Sequence, residues 1–221
     1  PDGKAKRGRK PAASKAAPYV LVGFDTEFKT PGYAVSRQDI KDGLATSIIL
    51  SYQFYAKASD GRVWSGICCP KENQRLTLQD FLLFVFGMGA RREKFTDIPR
   101  KVYLVGHFTR ADLPAFADFQ EISKYVSAVR NTFISDDSYL NVNLQSGSKP
   151  EPLNVLLRDT MLLSPQSAKS LKSLGDLVGV PKVELSPDRA TYLNMIRNMD
   201  LLRREQWDLF RRYALTDAEI C

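Results

Sequence analysis

Cysteine and histidine are scarce in this chain: its 221 residues hold Cys68, Cys69, Cys221 and a single histidine, His107. Three thiols offer neither a disulfide framework nor a metal-binding spacing, and neighbours such as Cys68 and Cys69 rarely bridge each other. The expectation is a reducing, intracellular setting, cytoplasmic or nucleoid or nuclear. No apolar run approaches the roughly 18 residues of a membrane span, and the first residues are too polar for a secretory signal, so no membrane partner is expected. No internal repeat is visible. Even the charge excess is local. Of the net +7, residues 1–18 hold six basic side chains against Asp2 alone, which leaves +2 for the other 203 residues. A case for nucleic acid built on overall basicity would rest on that tail.

What is present is an ordinary globular composition, 43% hydrophobic and 26% charged, at a length that suits one large domain with a full core. Residues 1–18 are rich in Lys, Arg, Ala and Pro without apolar periodicity and read as a disordered basic linker. Within them Arg7-Gly8-Arg9-Lys10-Pro11 resembles an AT-hook core interrupted by Lys10, while a solvated linker or nuclear-type signal is the plainer reading. The domain then runs over 19–221. A first residue of Pro1 and a last residue inside a helical pattern suggest a piece of something longer.

Tyr19–Phe28 is a continuous apolar strand ending in acids, the pattern of a buried central strand. Thr46–Ala56 and Arg62–Cys68 read as strands paired across Ser59-Asp60-Gly61. Leu76–Met88 has helical spacing. Lys101–Gly106 is another buried strand, followed by a short helix from about Arg110. Ser127–Phe133 and Tyr139–Leu144 suggest a second hairpin, and Leu153–Asp159 a further strand. Helices follow over Ser167–Val178, Pro187–Asn198 and Leu201–Ile220. Strands leading and helices closing predict an α/β fold with a mixed sheet flanked by helices.

Asp25 and Glu27, two apart on a strand, share a face. Side by side at the end of a buried strand they repel and resist desolvation unless a cation compensates. Asp112 falls in the first turn of the helix after Lys101–Gly106. Tyr213 and Asp217 are four apart on a helix and share its inward side with Phe210. Asp159 reads as the acid that ends a strand.

In order, Asp-x-Glu, then Asp, then Tyr-x-x-x-Asp resembles the DEDD superfamily of 3′–5′ exonucleases in its tyrosine branch. The sibling branch carries histidine five residues before the last Asp, where this chain has Arg212. The likeness covers about Tyr19 to Cys221. It implies a ribonuclease H-like fold with a mixed five-stranded sheet and helices on both faces. It also implies that Asp25, Glu27, Asp112 and Asp217 hold two Mg²⁺ ions, with Mn²⁺ as a substitute, and that Tyr213 positions the attacking water. Thr26, Phe28, His107 and Phe108 fall on the substrate side of those motifs. Phe108 and Ala111 depart from the commoner Asn and Phe of the second motif, and Phe28 from the commoner Thr of the first.

The stretch Leu157–Leu163, followed by Ser170–Lys182, is similar to the region before the third motif in family B DNA polymerases of the protein-primed and plasmid-borne type. By that likeness Lys182, in Lys182-Val183-Glu184-Leu185, is a catalytic lysine at the scissile phosphate. The implied substrate is a single-stranded DNA 3′ end, released as nucleoside 5′-monophosphates by a proofreading-type domain linked to a polymerase. Two alternatives stay open: a ribonuclease D-like enzyme trimming RNA 3′ ends, favoured by Glu27-Phe28, and a catalytically silent nucleic-acid-binding module.

Overall fold

Tyr19–Lys29 forms the central strand β1 of the computed structural model, which describes residues 19–29, 47–95, 99, 101–135, 140–144 and 151–221. The segment expected as a basic linker, 1–18, lies outside the described residues, as do Thr46 and Tyr139. Strand β1 pairs antiparallel with β2 (Ile48–Ala58) and parallel with β4 (Lys101–Gly106). Outside β2 runs antiparallel β3 (Val63–Cys68), and outside β4 runs parallel β8 (Glu151–Asp159). The five strands β3-β2-β1-β4-β8 are the mixed sheet of a ribonuclease H-like α/β fold, and β7 (Leu140–Leu144) adds a sixth, antiparallel to β8 at the edge.

Alternation along β1 divides the molecule. Val20, Val22 and Phe24 point to one face, where helix α1 (Leu78–Glu93) buries Leu78, Phe81, Leu82 and Val85 against them. Each such side chain contributes roughly 1.5–3 kcal/mol, so this apolar face, more than helix propensity, holds α1 down. The opposite face of β1 presents Gly23, Asp25 and Glu27. Four helices lie on that side of the chain's later half: α5 (Leu171–Val178), α6 (Arg189–Arg197), α7 (Met199–Glu205) and α8 (Trp207–Ile220). Met199, Leu202, Phe210 and Tyr213 form a second core there with Leu50 and Leu185. Two one-turn helices, α2 (Thr109–Asp112) and α3 (Phe119–Ile122), follow β4 before the next strand, and a third, α4 (Thr160–Leu163), turns the chain from β8 toward the closing helices.

Several boundaries differ from expectation for local reasons. Helix α1 starts at Leu78 because Thr77 and Asp80 close a capping box around its first turn. The single helix expected over Leu201–Ile220 is two, broken at Gln206 (φ −134°, ψ 56°), which lets Leu202 and Phe210 face one cluster. The expected second hairpin is also redrawn. Ser127–Val129 (β5) turns back on Thr132–Ile134 (β6) through Arg130 and Asn131, both at positive φ, while Leu140–Leu144 joins the main sheet.

Candidate metal centre

Asp25 and Glu27 leave β1 on the face that meets α8, and α8 supplies Asp217 with Tyr213 one turn earlier. The helix can reach because Gly23 has no side chain: a Cβ there would lie 2.2 Å from the carbonyl oxygen of Ala218. A register shift between Glu27 and Phe28 marks a β-bulge just past the acids, a device that re-aims side chains at strand ends. Carboxylate oxygens of Asp25, Glu27 and Asp217 all come within 4.8 Å of one another. Asp112 stands beside this trio rather than in it. It is 3% exposed and comes from just past β4, the strand beside β1, where Thr26 donates its backbone N–H (3.1 Å) and its hydroxyl (2.6 Å) to Asp112 Oδ1.

The charges do not balance among themselves. Burial pushes the Asp25 carboxyl well above the usual range, and the charges of Asp112, Glu27 and Asp217 push it further. Glu27 is raised likewise, by burial and then by Asp217. Lys182 Nζ forms a salt bridge with Asp217 Oδ2, yet burial still holds Asp217 above its ordinary value. Its other oxygen, Oδ1, is buried without a hydrogen-bond partner. An orphaned carboxylate oxygen beside two further acids, all hard donors, is a donor set that fits a divalent cation.

Asp112 gives this electrostatic load a measurable sign. Burial raises its pKa from an ordinary 3.8 to about 7, against the lowering effect of the Thr26 hydrogen bonds. Between those values the folded protein keeps a proton that the unfolded chain has released, so stability falls as pH climbs. The contribution is complete below the unfolded value and lost as pH rises through the folded one. In chelator-treated protein the melting temperature should therefore drop between pH 5 and pH 8. Asp112→Asn should flatten that segment of the profile, and an unchanged slope in the variant would disprove the assignment.

Tyr213 is 5% exposed, and Lys182 Nζ lies 4.5 Å from its ring centroid. Burial, then Glu27 and Asp217, drive the phenol pKa far upward, so the hydroxyl stays protonated and can serve only as a neutral hydrogen-bonding group. Lys182 also borders a cleft of about 510 Å³ lined in part by Ser170, Leu171, Arg189 and Tyr192. Phe28 and Phe108 are exposed, at 38% and 39%.

Two residues placed on the substrate side are otherwise engaged. Thr26 is buried, and its hydroxyl holds Asp112 instead of facing outward. His107 is tied at both nitrogens, Nδ1 to Thr160 Oγ1 (2.9 Å) and Nε2 to the Lys169 carbonyl (3.1 Å). A carbonyl only accepts, so Nε2 carries the proton, and the Thr160 hydroxyl is shared between Nδ1 and the Gly106 carbonyl (3.2 Å). Burial lowers the imidazole pKa, which suits a neutral structural tie between the β4 end and the segment leading to α5. Asp159 does end its strand, accepting from the backbone N–H groups of Phe108, Thr109 and Met161 and so securing the positive-φ corner at Phe108 that begins α2.

Gln53 was not foreseen. It sits opposite Asp25 in the β1–β2 register and donates Nε2–H to Asp25 Oδ2 at 2.7 Å, while Ser51 donates its hydroxyl to Gln53 Oε1 at 2.9 Å. The available signal was polar residues at positions 51 and 53 on a strand apolar on its other face. Only the register shows that they flank Asp25 and Glu27.

No family model matches the chain. It is similar to the primer-independent DNA polymerase PolB of Escherichia coli, 29% identical over 219 residues, covering 90% of this chain and 23% of that relative. The likeness is to a DNA polymerase. This chain spans less than a quarter of the relative's length, so the similarity concerns one part of a larger protein. Among the described residues no helix is long and apolar enough to cross a membrane.

Proposed function

We propose that this chain is a two-metal-ion 3′–5′ exonuclease domain of a polymerase-related protein, acting on single-stranded DNA ends. The reading is carried by the Asp25–Glu27–Asp217 trio with its orphaned oxygen, delivered by a buried strand and a facing helix of a ribonuclease H-like sheet. Asp25, Glu27, Asp112 and Asp217 would hold two Mg²⁺ ions, or Mn²⁺ in their place, as oxygen donors favour. Ions bound there supply acidification of a water and neutralisation of charge on the phosphate.

The remaining roles belong to the protein. Tyr213, kept neutral, orients the attacking water instead of deprotonating it. Lys182, at the border of the trio and the cleft, can exchange its Asp217 contact for a non-bridging oxygen of the scissile phosphate. Exposed Phe28 and Phe108 offer aromatic faces to bases, a contact worth roughly 1–3 kcal/mol per base and indifferent to sequence. The cleft beside Lys182 has the volume a small-molecule site needs and suits the terminal nucleotide. In the reaction the oxygen of water joins phosphorus and the bond to the 3′ oxygen breaks. The leaving oxygen takes up a proton, releasing a nucleoside 5′-monophosphate and a strand shorter by one unit.

The test is a 5′-labelled single-stranded DNA and its matched RNA, each incubated with Mg²⁺, with Mn²⁺ or with chelator. The expected outcome is a ladder shortening from the 3′ end of the DNA in either metal and none in chelator. Preferential loss of RNA would transfer the assignment to 3′-end RNA trimming. Intact substrates under all conditions would leave only a binding module.

A further inference from the structure

We infer that Gln53, keyed by Ser51, is a positioning residue that presents Asp25 to a cation; this rests on the metal-centre reading above. Cross-strand pairing places Gln53 opposite Asp25 and Ser51 opposite Glu27, so the two polar residues flank the two acids on the adjoining strand. Both are 0% exposed although uncharged and polar, a costly location unless their hydrogen bonds are made. Both are made. The Ser51 hydroxyl donates to the amide oxygen of Gln53, which leaves the amide nitrogen aimed at Asp25 Oδ2. The Asp25 carboxylate, which only accepts when ionised, selects this orientation of the amide, and the Ser51 hydroxyl braces it by bonding the amide oxygen.

The consequence for Asp25 is geometric. One carboxylate oxygen is committed to an N–H donor, which fixes the rotation of the group and turns Oδ1 over to the cation. Each of three acids thus has its own anchor of different chemistry: Lys182 for Asp217, Thr26 for Asp112 and Gln53 for Asp25. Only Gln53 brings neither charge nor a backbone donor, so its effect reduces to orientation. Partners of this kind, one step removed from a metal, typically alter metal affinity or activity by 10–100-fold.

The experiment measures Mn²⁺ affinity of the 221-residue chain by electron paramagnetic resonance, with a melting curve in chelator as the measure of folding. The proteins compared are the parent, Gln53→Leu, Ser51→Ala and the double variant. Gln53→Leu should weaken Mn²⁺ binding about 10-fold or more, with hydrolysis partly recovered by raising the metal concentration. Ser51→Ala should weaken it less, by removing the hydrogen bond that braces the amide oxygen and so loosening the amide. In the Gln53→Leu background Ser51→Ala should have no further effect on affinity, because its action passes through the amide. Should Gln53→Leu not fold, Ser51→Ala decides alone, and unaltered Mn²⁺ affinity in it overturns the proposal. Additive losses in the double variant, or losses in melting temperature with affinity unchanged, would make the pair merely structural. A parent that binds no Mn²⁺ would bring down the metal centre itself, and this inference with it.

Discussion

Replacing Asp25 by Asn and Glu27 by Gln together should lower metal-dependent hydrolysis by at least about 10³-fold, equivalent to about 4 kcal/mol of transition-state stabilisation. The same double variant should melt higher than the parent in chelator at pH 8. Both carboxyls are held well above their ordinary pKa by burial and by neighbouring acids, Asp112 and Asp217 among them, so in the ion-free protein their charged forms oppose folding. Removing them relieves that opposition, and each kcal/mol recovered should raise the melting point of a chain this size by roughly 2–4 °C. Calorimetry with and without Mn²⁺ then gives a crossover: the parent gains stability from the metal and the variant does not. Residues with a purely structural role would behave oppositely, losing stability without metal. Full hydrolytic activity in the variant, in protein free of contaminating nuclease, would end the assignment.

The second large effect is expected at a residue with no chemistry of its own. Gly23→Ala sets a methyl group 2.2 Å from the Ala218 carbonyl oxygen, and the obstacle is main chain, which cannot swing aside as a side-chain tip would. Overpacking of this kind costs about 1–3 kcal/mol and is relieved by moving the helix. Ala218 adjoins Asp217, so any shift of α8 away from β1 carries an acid out of the trio. Misplacement by about 1 Å can cost 10²-fold in rate, well beyond what partial unfolding explains. The measurement is hydrolysis by Gly23→Ala at a temperature where circular dichroism shows native helix content. Retention of parental activity there would show that α8 is not seated on β1 as described.

Strands β1 and β4 were legible from their uninterrupted apolar runs, Tyr19–Phe24 and Val102–Val105, although one face is only partly covered: Tyr19 and Leu21 are exposed. The acids were legible from their order along the chain and from simple periodicity: two apart on a strand, four apart on a helix. What one dimension hides is who faces whom. Gln53 lies 28 positions from Asp25, and only the antiparallel register makes them neighbours. Alternation alone turns Thr26 away from the face of Asp25 and Glu27; what the sequence hides is that Asp112, from the end of a different strand, comes to meet it. His107 has the residue type of a catalytic group but a neighbourhood of acceptors and hydroxyls that consumes both nitrogens. Gln206 carries no breaker signal. Packing of Leu202 and Phe210 into one cluster outweighs its helix preference. Strand β7 shows the same limit, since edge pairing with β8 leaves no mark in local composition.

The seat of α8 on β1 also sets when, during synthesis, the acidic cluster can come into being. The first described strand and the last described helix must meet before the three acids share a space. During synthesis the sheet can form from the leading strands while the closing helix is still unmade, since polypeptides organise from the amino end as they emerge. A chain cut short before Trp207–Ile220 has neither Tyr213 nor Asp217, so it holds the sheet and two of the acids without the third.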